Sequence, residues 1–241
     1  MPSDRFRPPI TLARALSKLG AASRSQARLI IEAGRVAVAG RVVRDPDLWI
    51  DPSRTAITLD GKAVRRAPFV YFLLHKPPGF VTTRSDERGR RTVYDLLPAG
   101  APRVFPVGRL DLETSGLLIL TNDTQFGERA THPSSHVEKA YRVEVDREPR
   151  AEEISALEAP MVLADGTRLL PGKVTCDRRR PTQFELCIFE GKNRQIRRAC
   201  AHIGLHVVRL HRLRVGKLSL GALPEGACRE LGPAEAARAL A

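Results

Sequence analysis

The sequence predicts an α+β protein in two parts, a small N-terminal unit over residues 1–65 and a larger unit over 66–241. Three observations predict it. Two short helical patterns near the N-terminus are followed by two hairpin patterns. Beyond them, strand and helix patterns are interspersed without a steady βαβ rhythm. And 241 residues suit one large domain, or a small one beside a medium one.

Leu12, Ala15, Leu16 and Leu19 recur at helical spacing until Gly20. Ser23 and Gln26 then form a capping box, and Ala27, Ile30 and Ile31 make the apolar stripe of a second helix that Gly34 ends. The stretch 35–43 alternates around Ala39-Gly40, and 57–64 alternates around Asp60-Gly61, so both read as hairpins. Arg65 to Pro68 reads as a linker. From Phe69 to Thr83 the sequence predicts a buried strand, a rigid Pro77-Pro78-Gly79 turn and a second strand. An exposed charged loop follows over Arg84–Arg91. Further strands are expected at 117–121, 141–145, 173–175 and 183–189, helices near 152–159 and 194–203, and a terminal helix over 233–241.

Composition narrows the function classes. With 42% hydrophobic and 28% charged residues, the chain is neither disordered nor collagen-like. Its apolar runs are too short for a membrane span, and the opening MPSDRFRPP lacks the apolar core of a secretory signal. Four cysteines without a Cys-x-x-Cys pair suit neither zinc nor a disulfide framework, so a reducing cytoplasm is expected. No metal is expected either, because His202 and His206 are separated by Gly204 and have cationic neighbours. The net charge of +13 speaks to a polyanionic partner, nucleic acid first.

Residues 1–65 hold 12 Lys and Arg against 6 Asp and Glu. Arg14, Lys18, Arg24, Arg28 and Arg35 could line one side, or be an ordinary solvated helical surface. In order and pattern, residues 10–64 resemble the S4-type RNA-binding domain, whose two helices present basic residues to structured RNA. They depart from its usual Arg-Leu-Asp opening at Ile10-Thr11-Leu12-Ala13.

The chemistry rests on Gly108–Asp123, where an arginine and a carboxylate precede a Thr-Ser-Gly turn and an apolar strand. Asp111 either caps that turn or is a nucleophile, since an ionised aspartate attacks an electrophilic carbon without a cofactor. A glycosidase pair of Asp111 and Glu113 is disfavoured by the lack of substrate-stacking aromatics nearby. The segment Gly108-Arg109-Leu110-Asp111, with Thr114, Gly116-Leu117-Leu118 and Thr121-Asn122-Asp123, resembles the signature of RNA pseudouridine synthases. Within them it resembles the branch that modifies ribosomal RNA and carries an S4-type domain. Three further motifs agree in order: Lys76-Pro77-Pro78-Gly79, Lys139-Ala140-Tyr141, and Gly191-Lys192-Asn193-Arg194-Gln195-Ile196-Arg197-Arg198.

That resemblance implies roles. Asp111 would be the nucleophile in the isomerisation of uridine to pseudouridine. Attack on the anomeric carbon, attack on carbon six of uracil and a glycal route all stay open. Arg197 would hold the carboxylate, with Arg194 or Arg198 as alternatives. Tyr141 would stack on a flipped uracil, returning about 1–3 kcal/mol against an unstacking cost of a few kcal/mol, and Ile196 would pack the opposite side. Lys76, Arg109, Gln195 and Arg198 complete the expected substrate-binding set. Between Gly191 and Lys217 stand eight Lys and Arg, including Arg209, Arg212 and Arg214, and no Asp or Glu; most are expected to contact phosphates.

The expected protein is therefore a cofactor-free, monomeric enzyme whose catalytic domain has a mixed, mainly antiparallel sheet flanked by helices. It would isomerise uridine in a ribosomal RNA hairpin. Residues 91–98 are more similar to large-subunit-specific members, and 207–212 also to small-subunit ones, so the reading leans to large-subunit RNA. The rivals are a non-catalytic ribosome-assembly factor and, more remotely, a nucleoside hydrolase.

Overall fold

The computed structural model describes residues 9–240; residues 1–8 of the opening stretch and the last residue of the expected terminal helix lie outside them. The chain divides into two compact units between Phe69 and Val70, four residues beyond the expected boundary.

In the N-terminal unit the elements are β1 (Ile10–Thr11), α1 (Leu12–Lys18), α2 (Arg24–Glu32), β2 (Val36–Val38), β3 (Arg41–Val43), β4 (Trp49–Ile50), β5 (Ile57–Leu59) and β6 (Lys62–Ala63). The capping box forms as the sequence implies: the Gln26 backbone N–H donates to Ser23 Oγ at 3.2 Å, and Gln26 Oε1 accepts from the Ser23 N–H at 3.3 Å. Both hairpins turn at residue pairs with positive φ, Ala39-Gly40 and Asp60-Gly61, the backbone that lets two residues reverse a twisted pair of strands. The strands run β3-β2-β5-β6, and β1 pairs with β4. Leu12, Leu16, Ile31, Val36 and Ile57 form the unit's own core.

The larger unit holds β7 (Tyr71–Lys76), β8 (Phe105–Pro106), β9 (Thr114–Thr121), α3 (Thr124–Thr131), β10 (Lys139–Val145), α4 (Ala151–Leu157), β11 (Met161–Val162) and β12 (Arg168–Leu169). There follow β13 (Lys173–Cys176), β14 (Gln183–Ile188), α5 (Gln195–His202), β15 (Val207–Val215), β16 (Leu218–Ser219), β17 (Cys228–Glu230) and α6 (Pro233–Arg238). Its sheet runs β13-β14-β10-β15-β9-β7-β17, and within it β15 and β9 are parallel. The rest of that path is antiparallel, which gives the mixed sheet expected. Both faces are covered. On β9, Leu118 and Leu120 enter a core with Tyr141, Ile196 and Cys200, whereas Leu117 and Ile119 enter a second core with Phe126 and Ala236. A strand buried on two faces reads as a continuous apolar run.

Besides several short strands the sequence reading did not expect, such as β4 and β17, three larger differences stand out. No second strand follows the proline turn: Val81 makes an isolated bridge to Thr92, because Thr82 is drawn into hydrogen bonds with Leu110 instead. Helix α3 was not visible in its composition. It is started by Asp123, whose carboxylate accepts from the Gln125 and Phe126 N–H groups, and it needs Gly127, where a Cβ would stand 2.9 Å from the Phe105 ring. Strand β15 was masked by arginines and histidine at positions where an alternating strand shows small or apolar residues.

Candidate active site

Asp111 lies in the turn between β8 and β9. Thr114 N–H closes this turn on Asp111 O at 3.1 Å. From the neighbouring proline turn, Gly79 N–H donates to Leu112 O at 2.8 Å, and Thr82 Oγ1 donates to Leu110 O at 2.8 Å. The ammonium of Lys76 completes the frame. It donates to the carbonyls of Pro77 (3.0 Å), Asp111 (3.1 Å), Leu112 (3.2 Å) and Thr114 (2.7 Å). Lys76 is fully buried, and that burial pushes its pKa down to about 8 against the opposing pull of Asp111. Lys76, expected among the substrate-binding residues, lies beneath the turn and outside the lining of the cavity described below. Every direction open to the ammonium is taken by a carbonyl of the turn that presents Asp111, so the lysine positions that turn.

The carboxylate opens into a cavity of about 410 Å³, within the range of small-ligand sites. Tyr141 and Ile196 line it, as do Arg109, Lys139, Lys192, Arg194 and Arg212. Asp111 is the one carboxylate among these lining residues, set against five cations. Arg194 Nη1 stands 3.7 Å from Asp111 Oδ2. Arg194 has a left-handed backbone, φ 48°, immediately before α5, a conformation that turns its side chain back toward the cavity instead of along the helix.

Arg197 is the expected partner of Asp111, and the geometry differs. Its Nη1 donates to Val207 O at 3.0 Å, and it lines a second, larger groove of about 990 Å³ that does not include Asp111. Arg198 also departs from expectation. It pairs with Asp165 at 2.5 Å and donates to Thr167 at 3.1 Å, away from the cavity. Positions i, i+3 and i+4 of a regular helix share a face, so what separates Arg194 from Arg197 and Arg198 is its left-handed backbone ahead of α5. Gln195 lines the cavity but is buried, its Oε1 accepting from Lys192 N–H and its Nε2 donating to Glu190. It ties the 190–195 loop together.

Tyr141 on β10 is 8% exposed. Arg212 Nη1 approaches its hydroxyl at 3.4 Å, and the guanidinium carbon lies 6.0 Å from its ring centroid. Arg212 was expected among the phosphate contacts, but it is 4% exposed and donates through Nε to Leu117 O at 2.7 Å. Its position depends on the parallel pairing of β15 with β9, in which Arg212 faces Gly116. A Cβ at Gly116 would fall 2.3 Å from the Arg212 carbonyl oxygen, so glycine is required there by close backbone approach. Lys139 is a further cation that the sequence reading left without a role. Its pKa is lowered by burial and by Arg212. Thr114 Oγ1, also on the cavity wall, is buried without a hydrogen-bond partner among the described residues.

The larger groove shares Arg194 and Leu210 with the cavity and adds Arg142, Arg180 and Arg209. In the N-terminal unit, Arg14, Arg24 and Arg28 line a separate cleft of about 200 Å³. Arg35 is engaged instead in a two-pronged pair with Asp60, in the turn of the second hairpin, and Lys18 closes α1 outside that cleft. No helix among the described residues is long and apolar enough to cross a membrane.

Residues 70–202 match the RNA pseudouridylate synthase family, and residues 11–53 match the S4 domain. The chain is 37% identical over 231 residues to ribosomal large subunit pseudouridine synthase B of Bacillus subtilis, covering 94% of each. It is 35% identical over 199 residues to an RNA pseudouridine synthase of Aquifex aeolicus, covering 81% of this chain and 79% of that one. A crystal structure of a pseudouridylate synthase superposes with a TM-score of 0.70 at 28% identity, over 96% of this chain and all of the other. The chain that presents this lone carboxylate, and whose sequence carries the S4 match ahead of it, thus belongs to the RNA pseudouridylate synthase family by its matching model over residues 70–202 and its 37% identity to the Bacillus subtilis enzyme.

Proposed function

We propose that this enzyme isomerises uridine in large-subunit ribosomal RNA, with Asp111 as nucleophile, Tyr141 against the target base and Arg194 holding the carboxylate. The observation that carries the reading is the single carboxylate of the cavity, 3.7 Å from Arg194. A polyanion would be repelled by an exposed aspartate, and five lining cations offset that repulsion while leaving the carboxylate free to react. In the reaction the bond from ribose C1′ to uracil N1 breaks and one from C1′ to C5 forms. The C5 proton leaves, and N1 gains one, so no oxidant or co-reactant is required. Arg109, Lys192 and Ile196 would hold the nucleotide, and the arginines of the larger groove its flanking phosphates.

Large-subunit RNA is favoured by the name of the Bacillus subtilis relative. A structured hairpin substrate fits the scarcity of aromatic platforms, 5% of residues, because shape and backbone then dominate recognition, and the enzyme is read as a monomer. Four free cysteines fit a reducing cytoplasm. The test is pseudouridine mapping on naked rRNA of both subunits, without cofactor, beside Asp111→Asn. A new site in large-subunit RNA that vanishes in the variant is expected. A site that persists in Asp111→Asn overturns the nucleophile, and no site on naked RNA or on precursor particles favours a binding factor without chemistry.

A further inference from the structure

Trp49 is the only tryptophan of the chain, and it is 68% exposed. Its place is fixed by the β1–β4 ladder, where Ile10 opposes Ile50 and Thr11 opposes Trp49. Ile10 and Ile50 enter the core of the N-terminal unit. With a side-chain period of two, Thr11 and Trp49 share the outer face. Thr11 lines the 200 Å³ cleft that also holds Arg14, Arg24 and Arg28, so Trp49 shares a sheet face with one wall residue of a cationic cleft.

The segment leading into it is tied to both helices of the unit. Leu12 N–H donates to Leu48 O at 2.8 Å and Ala13 N–H to Pro46 O at 3.0 Å, which joins the start of α1 to the segment leading into β4. Arg28 grips Asp47 with two hydrogen bonds, 2.8 and 3.1 Å, tying α2 to the same segment and neutralising Asp47. Arg14 and Arg24 make no ion pair among the described residues. The site therefore pairs a flat aromatic face with two cations uncommitted to the fold.

We propose that Trp49 is a stacking platform for one unpaired base of the RNA, whose adjacent phosphate rests on Arg14 and Arg24. This rests on the reading of the N-terminal unit as an RNA-binding surface and adds the residue that engages a base. A base offers a π-face for the indole and carries its anionic phosphate one sugar away, which matches a ring beside two arginines. An apolar protein partner would meet Asp47 and three arginines around a single aromatic ring, a poor match for the charge-depleted centre of a protein interface. Because stacking tolerates any base, the platform adds affinity and registers a loop or bulge without reading its sequence.

Emission from the chain comes from Trp49 alone among its tryptophans, so the full-length protein reports directly. Rational probes are fragments of naked rRNA that the protein retains in filter binding. Their titration should quench the emission with the midpoint found by filter binding. Trp49→Ala should weaken binding about 5- to 150-fold while turnover at saturating RNA stays unchanged, and Trp49→Phe should retain most of the affinity. A normal melting curve for each variant shows that the unit remains folded. Unchanged emission at saturation together with full affinity in Trp49→Ala overturns the proposal. Arg14→Ala combined with Arg24→Ala separates the levels: if it weakens binding and Trp49→Ala does not, stacking alone fails, and if neither weakens it, the RNA-binding reading of the unit fails too.

Discussion

The guanidinium of Arg194 stands 3.7 Å from the carboxylate of Asp111, reached from a residue whose left-handed backbone precedes α5. Arg197, one helical turn on, is committed to the carbonyl of Val207 at the head of β15. One motif thus supplies a group that faces the cavity and a group that braces the sheet.

Substituting the two arginines should separate those tasks. Arg194→Ala should lower kcat at least about tenfold and leave the melting temperature nearly unchanged, because alanine carries the same left-handed backbone strain and a partly exposed ion pair contributes little to stability. Arg197→Ala should lower stability by about 1.5–3 kcal/mol, the range for a hydrogen bond from a charged donor, with turnover of the folded fraction largely kept. Single-turnover kinetics beside thermal melts decide it. An Arg197→Ala protein that melts normally yet is as inactive as Asp111→Asn reverses the assignment.

Lys76→Met should damage both stability and activity without touching substrate. Removing the ammonium takes a charged donor from four carbonyls; Asp111 O and Leu112 O keep a backbone N–H from Thr114 and Gly79, and the loss at Pro77 O and Thr114 O should still cost about 3 kcal/mol or more. The 111–114 turn then loosens, and kcat should fall with KM little changed. Urea unfolding and steady-state kinetics test the two effects, and a rise in KM alone would return Lys76 to substrate binding.

Stability should depend on pH through His211. Burial, aided by His75 and Arg142, pushes its pKa down to about 4, and Ser115 Oγ lies 2.8 Å from its Nδ1. Since the unfolded chain binds this proton near pH 6.5, the contribution is full above that value and is lost as pH falls toward 4. His211→Gln should flatten the melting temperature between pH 6.5 and 4 relative to wild type. Parallel curves for the two proteins would dismiss the histidine as the source.

Deleting residues 1–69 should weaken RNA binding and reduce its dependence on salt, since the N-terminal unit has its own core and its own cationic cleft. Each phosphate neutralised on a single strand contributes about 0.7 to the slope of log affinity against log salt. A truncated protein with the full-length slope would show that the unit's arginines do not meet phosphate.

Several local signals that act over a few residues were legible. The Ser23–Gln26 box, the Ala39-Gly40 and Asp60-Gly61 turns and the buried run of β9 are set by short-range geometry, and each formed where the pattern placed it. The motif around Asp111 was legible as well, because a carboxylate beside an arginine and a tight turn lies within one segment.

What the sequence left open was the use of its cations. Lys76, Arg197, Arg198 and Arg212 look alike in composition, but one is enclosed by carbonyls, one braces β15, one pairs with Asp165 and one lies under Tyr141. A charged side chain on a basic protein defaults to solvent or phosphate unless the fold brings acceptors to it. For Arg212 that acceptor is Leu117 O, on a strand 95 residues earlier that becomes a neighbour through the parallel pairing of β9 with β15. The sequence by itself determined the two-part α+β plan, the family motifs and the lone carboxylate. The tertiary structure alone decided which arginine faces that carboxylate, because the answer depends on long-range strand pairing and on one left-handed residue.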